Sequence, residues 1–257
     1  MVVQLKPSSF SCSDSIHWTD SNWSIPIISS LLYLFLVYFG KQWMKSREAF
    51  NLKRPLMLWN LATAVFSILG ASVCLPAVIN STIEKGFIYT TCISDGYYGS
   101  ESSVCFWAFL FTVSKVIELG DTFFIILRKK PLMFLHWYHH VTIINVMWLI
   151  FSKAATGISH WGSAVNYTIH SIMYSYYAAT SAGVRFPALI PPLITMLQIF
   201  QMFFGATINM TAFVYRSTCP VDEAVVWASV IILLTYAGLF GNYFMQRYVL
   251  KKKKKEE

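Results

Sequence analysis

The sequence predicts an all-α integral membrane protein, with seven transmembrane helices in one membrane domain. Three observations carry this reading. Hydrophobic residues make up 56% of the 257-residue chain and charged residues 12%, and the mean hydropathy is +0.52. Several apolar runs reach the roughly 20 residues needed to cross a bilayer. The lysines and arginines fall between those runs, and they fall unevenly.

Residues 1–23 are polar and lack the basic start and cleavage pattern of a signal peptide, so the first apolar run is expected to be retained. The expected spans are 24–40, 56–79, 105–127, 132–151, 161–180, 188–210 and 224–246. The membrane domain thus covers 24–246, and a basic tail occupies 247–257. Pro131 closes a basic loop and is expected to open the fourth helix, a position that tolerates proline. One set of connections, with the tail, holds fifteen cations: Lys41, Lys45, Arg47, Lys53, Arg54, Arg128, Lys129, Lys130, Arg185, Arg247 and Lys251–Lys255. The alternate set holds only Lys6, Lys85, Lys153 and Arg216. The positive-inside rule therefore places the C-terminus in the cytosol and the N-terminus on the opposite side. The net charge of +8 is a topology signal, not a footprint for nucleic acid. There is no glycine-rich phosphate loop, zinc-type cysteine spacing or heptad repeat.

Chemistry concentrates in His136-Trp137-Tyr138-His139-His140. Positions i, i+3 and i+4 span an arc of roughly 100°, so the three imidazoles share one helix face. Titratable groups inside a bilayer are costly and mark functional sites by default. Counted from Pro131, His136 lies roughly 8 Å and His139 roughly 12 Å from the cytosolic end. On the third span Lys115, Glu118, Asp121 and Arg128 share an arc of roughly 140°. The fifth span adds Asn166, His170, Tyr174 and Tyr177, and the sixth adds Thr195, Gln198, Gln201 and Asn209. Bland readings stand beside these: an interhelical ion pair for Lys115 and Glu118, and helix-to-helix glue for Gln201 and Asn209. His17 and His160 read as solvated or interfacial, near the non-cytosolic surface.

The triplet has two chemical readings. Metal ligation of the di-iron type needs roughly eight histidines, and this chain has six, four of them in the membrane region. A mononuclear zinc site remains open on ligand number. The metal-free reading is nucleophilic and acid–base chemistry, for which desolvation keeps the imidazole neutral. A metal-dependent membrane lipid oxidoreductase and a transporter are the competing classes. The paired mid-span breaks that favour a transporter do not appear.

A family resemblance lies in Lys115-Val-Ile-Glu118-Leu-Gly-Asp121-Thr122, Arg128-Lys129-Lys130-Pro131, Phe134-Leu-His136-Trp-Tyr-His139-His140, Asn166-Tyr-Thr-Ile-His170 through Tyr176-Tyr177, and Thr195-Met-Leu-Gln198-Ile-Phe-Gln201. In these stretches, which span nearly the whole membrane region, the chain resembles the very-long-chain fatty acid elongases. The Trp-Tyr inside the histidine box and Phe50–Trp59 look most like the branch acting on saturated and monounsaturated chains. The resemblance implies a 3-ketoacyl-CoA synthase that condenses acyl-CoA with malonyl-CoA and releases CO2 and CoA. It implies seven helices, with helices two to seven forming an inverted barrel around an acyl tunnel, and a ping-pong mechanism through an acyl-imidazole. His139 matches the nucleophile and His170 its partner, and His136, His140 and Asp121 complete the candidate catalytic set. Lys115, Arg128, Lys130, Asn166, His170, Tyr176 and Thr195 match CoA-facing positions. Relatives often carry basic residues just before the sixth span, where this chain has Pro191-Pro192. No cofactor or metal is expected. The expected partners are the two CoA substrates, membrane lipid, the reductases and dehydratase of an elongation cycle, and a second copy of the chain.

Cys92 and Cys219 both fall in non-cytosolic loops, where an oxidising lumen would join them. Lys254 and Lys255, fourth and third from the end, resemble a retrieval signal for the endoplasmic reticulum.

Overall fold

A computed structural model describes residues 7, 9–93, 103–219 and 221–250. Among them the chain is helical, with no strand. The helices are α1 (Cys12–Ser21), α2 (Ser24–Met44), α3 (Lys53–Lys85), α4 (Phe87–Cys92), α5 (Ser103–Ile117), α6 (Gly120–Leu127), α7 (Phe134–Ser152), α8 (Thr156–Ser181), α9 (Ile190–Val214) and α10 (Glu223–Phe244), and α10 runs on into a π-helical turn, Met245–Leu250. Each expected span is largely helical, with the exceptions given below. Four helices are long and apolar enough to cross a membrane by length and composition: Ser24–Met44, Lys53–Lys85, Ile190–Val214 and Glu223–Leu250. The other expected spans, in α5–α6, α7 and α8, carry the polar stripes.

The bundle is built on α3 lying along α8, with α9 and α10 paired beside them and α7 closing against α5 and α10. Its core joins Val73, Val78, Phe111, Ile150, Tyr167, Ile208 and Val225. Gly70 makes the close α3–α8 approach feasible, since a Cβ there would lie 2.6 Å from the Tyr167 ring. Tyr167 is buried because its hydroxyl reaches the Trp107 carbonyl at 3.0 Å. By contrast α2 touches only α6 and α7 among its main partners and exposes Leu31, Leu32, Phe35 and Leu36. Such a surface suits lipid rather than water.

Three expectations need correction. The third span is not one helix: α5 ends at Ile117 and α6 begins at Gly120, whose missing Cβ lets the Trp59 indole approach to 2.6 Å of where that atom would sit. Lys115, Glu118, Asp121 and Arg128 therefore do not share one continuous stripe. Pro131 does not open a helix, because residues 130–133 are non-helical and α7 starts at Phe134, capped by an extended Met133. His136 thus sits in the first turn, and His139 lies about 8 Å along the helix. His160 is not solvated: only 2% of its surface is exposed, and its Nε2 donates to the Cys74 carbonyl at 2.9 Å. It lies one turn inside α8, on the side packed against α3. The polar N-terminal segment also folds. Ser11 Oγ accepts from the Asp14 amide at the start of α1, and Trp148 Nε1 donates to the Thr19 carbonyl at its end. His17 is exposed, as read from the sequence.

Two disulfides join Cys92 to Cys219 and Cys12 to Cys105, and Cys74 is a buried free thiol. The second pair is not expected from the sequence, because Cys105 stands at the first residue of the expected span 105–127 and nothing in the sequence places the 1–23 segment against it. Cys92 and Cys219 lie 127 residues apart, a loop worth roughly 5 kcal/mol by the chain-entropy argument. Replacing both with serine should lower the thermal midpoint in detergent clearly. An unchanged midpoint would show that the bridge does not constrain the unfolded chain.

Candidate active site

The polar residues of α6 to α10 converge on a chamber of about 440 Å3, open at the end of the bundle where α7 starts and α8 stops. A second, narrower and mainly apolar cavity of about 80 Å3 runs onward between α7, α8, α9 and α10. Ile143, Met147, Ile150, Val165 and Ile208 are among its walls. Five residues line both spaces: His139, Asn166, His170, Gln201 and Met202. Counted along α7, Ile150 lies roughly 17 Å past His139, and along α8 Ile158 lies roughly 18 Å from His170.

The four histidines of the chamber are not equivalent. His136 Nε2 is committed to Thr122 Oγ1 at 2.9 Å, and Thr122 in turn meets the Tyr33 hydroxyl at 2.8 Å. His140 packs on His136, with centroids 4.5 Å apart, and its Nδ1 is buried without a partner. His139 lies against the Tyr236 ring at 4.9 Å, and His170 against Tyr174 at 5.4 Å. Among the described residues, no protein group hydrogen-bonds the ring nitrogens of His139 or His170. Of the imidazoles without a ring hydrogen bond among the described residues, His139 and His170 stand where the two cavities join, whereas His140 lines the chamber alone.

Two polar supports flank them. Asp121 accepts from Trp59 Nε1 at 2.6 Å and from the Tyr174 hydroxyl at 2.7 Å, which ties α3, α6 and α8 together beside His170. Lys115, 2% exposed, pairs with Glu118, 6% exposed, at 2.7 Å, and donates to Asn166 Oδ1 at 3.3 Å. Its ammonium also sits 4.0 Å over the Phe111 ring. Lys115 and Glu118 thus form an ion pair, but a local one three residues apart rather than one between helices; the link to α8 is the hydrogen bond to Asn166. Removing the Thr122 hydroxyl, as in Thr122→Val, should leave His136 unheld and lower kcat about tenfold with KM little changed. An unaltered kcat would show that the Tyr33–Thr122–His136 chain is only packing.

Of the other site residues read from the sequence, Tyr176 and Thr195 line the chamber, with Pro191 beside them. Arg128 and Lys130 do not line either cavity and lie in the loop after α6. Lys254 and Lys255 fall outside the described residues. The structure adds Tyr243, Arg247 and Tyr248 to the chamber wall. In the sequence Arg247 reads only as a topology charge, and nothing there shows that the π-helical end of α10 reaches the chamber. Among the described residues, no group of three His, Cys, Asp or Glu side chains is placed to hold a metal ion.

A helical bundle with a buried polar chamber leading to an apolar passage, and free imidazoles where they join, has the build of a membrane enzyme. The sequence matches the ELO, or GNS1/SUR4, family over residues 18–256. It is 38% identical over 245 residues to very long chain fatty acid elongase 6 of Gallus gallus, covering 94% of this chain and 91% of that one. It is 38% identical over 252 residues to very long chain fatty acid elongase 3 of Homo sapiens, covering 97% and 92%. It is 36% identical over 248 residues to elongase 6 of Drosophila melanogaster, covering 92% and 78%. The chain belongs to the ELO, GNS1/SUR4, family, and its relatives are enzymes of fatty acid elongation.

Proposed function

We propose that the protein is a 3-oxoacyl-CoA synthase, condensing a long saturated or monounsaturated acyl-CoA with malonyl-CoA in the first step of elongation. The observation that carries this reading is that His139 and His170 line both the polar chamber and the apolar passage. A thioester held there has its acyl chain in the passage and its CoA in the chamber. Each CH2 buried contributes about 0.8 kcal/mol. Arg247 in the chamber wall, with Arg128, Lys129, Lys130 and Arg185 in the loops at that end, answers the phosphates. In free form Lys115 supports the site through Glu118 and Asn166.

The chemistry then runs in two halves. A ring nitrogen of His139 attacks the acyl carbonyl, the C–S bond breaks, and the imidazole proton leaves with CoA as its thiol. Malonyl-CoA next enters the vacated chamber and loses CO2. The carbanion left behind attacks the acyl-imidazole carbonyl, and the N–C bond breaks to release the 3-oxoacyl-CoA. The departing imidazolate regains one proton, for which His170 is the nearest carrier at the junction. Burial excludes water, which would otherwise hydrolyse the acyl-imidazole.

This reading includes seven membrane crossings, with α3 and α5 to α10 as an inverted barrel around the passage and α2 outside it. It sets the protein in the endoplasmic reticulum membrane, N-terminus lumenal and C-terminus cytosolic. Both disulfides lie at the end of the bundle away from the chamber, which fits an oxidising lumen on that side. The 3-oxo product would pass to reductases and a dehydratase, and a second copy of the chain remains an expected partner. CO2 released from malonyl-CoA only when a long acyl-CoA is present tests the activity. Release that ignores acyl-CoA, or none at all, would refute it.

Chain length should be read at the far end of the passage. Activity should rise with acyl length and then fall sharply, because overpacking costs roughly 1–3 kcal/mol. Ile158→Ala should lengthen the preferred chain and leave the malonyl-CoA KM little changed. A cutoff that moves only with chamber substitutions would place the ruler elsewhere.

A further inference from the structure

We propose that the narrow cavity holds a polar recognition point built on Asn209, which accepts a hydroxyl group carried about ten carbons along an acyl chain. This rests on the acyl-CoA reading of the cavity. Asn209 is 3% exposed and lines the cavity from α9. Its Nδ2 donates to the Gly205 carbonyl at 2.8 Å, which fixes the direction of the amide, and its Oδ1 is buried with no partner. The side chain bonds its own helix, so it does not glue α9 to a neighbour. A buried acceptor left unmatched is costly, and the cost is relieved by whatever donates to it.

The surroundings narrow the chemistry. Ser229 lines the same cavity from α10, and its hydroxyl proton is spent on the Val225 carbonyl at 2.7 Å. It therefore offers lone pairs only, so both groups ask for a donor. A hydroxyl supplies one, whereas a ketone or an ether supplies none. The position sets the regiochemistry. Asn209 lies eight residues beyond Gln201, which borders the chamber, or roughly 12 Å along α9. An extended chain advances about 1.25 Å per carbon, so a hydroxyl near the thioester cannot reach it, but one about ten carbons along a long chain can.

The test uses full-length protein and four CoA thioesters of one long chain: unsubstituted, mid-chain hydroxy at about ten carbons from the thioester, terminal hydroxy, and keto at that same mid-chain position. The two hydroxy isomers carry the same polar group, so the ratio of their kcat/KM values reports position alone. The mid-chain hydroxy isomer should exceed the terminal isomer and the keto analogue by about tenfold. Asn209→Leu should collapse that ratio towards one. Equal values for the two isomers in the wild-type protein, or a preference that survives Asn209→Leu, would overturn the proposal. The wild-type comparison decides even where the variant fails to fold. If the unsubstituted thioester is itself not elongated, the synthase reading fails, and this inference falls with it. If that thioester is elongated and the isomers are equal, only this inference fails.

Discussion

Replacing His139 with alanine should leave a folded protein whose condensation rate is lower by about four orders of magnitude or more, the scale of losing a nucleophile. Retention of the fold is expected from the contacts. The His139 ring has no hydrogen bond to another helix and rests on Tyr236 at 4.9 Å, while Tyr236 keeps its own bond to Thr142 at 2.6 Å. The parallel substitution at His136 should cost less, since that ring is committed to Thr122. The comparison is made by product formation from acyl-CoA and malonyl-CoA in detergent, with thermal unfolding as the control for folding. An alanine variant of His139 that keeps a tenth of native activity would remove it from the nucleophile's role.

The second large effect is on stability. Lys115→Met should destabilise the protein by roughly 3–5 kcal/mol, because Glu118 is then buried without its counter-charge. Asn166 loses a donor at the same time. Adding Glu118→Gln to that variant should restore much of the loss, since the amide replaces a charge with a group that Ser114 Oγ, now 3.2 Å from Glu118 Oε1, can still meet. A thermal or denaturant series on the two single variants and the double variant closes the cycle. If the double variant is as unstable as Lys115→Met, the two side chains are not coupled, and the pair is not what holds α5 at the chamber.

The helical, membrane-protein character and the histidine triplet are legible in the sequence for physical reasons. Long apolar runs with cations between them have few alternatives, and i, i+3, i+4 spacing leaves no doubt that His136, His139 and His140 share a face. What it could not show is helix rotation. Lipid and protein core are both apolar, so hydropathy does not say which side of a membrane helix faces a neighbour. Hence Trp59, an unremarked aromatic, turned out to anchor Asp121, and Tyr33 on the outlying α2 reached Thr122. His160 was misread for the same reason, its nearness to a surface being taken for exposure to it. The break after Ile117 was hidden because Glu118-Leu119-Gly120 continues a helical pattern, and only the Trp59 ring against Gly120 reveals it. Cys12 and Cys105 were missed because pairing depends on where α1 docks, and that depends on buried contacts such as Trp148 with Thr19.

The claim on which the rest depends is that His139 carries the acyl chain between two half-reactions. Intact mass spectrometry after incubation with a long acyl-CoA alone tests it most directly. The chain should gain one acyl mass, an equal amount of CoA should be freed, and fragmentation should place the adduct on His139. Adding malonyl-CoA should remove the adduct and yield the 3-oxoacyl product. A chain that stays unmodified with acyl-CoA alone, yet turns over when both substrates are present, would contradict the account.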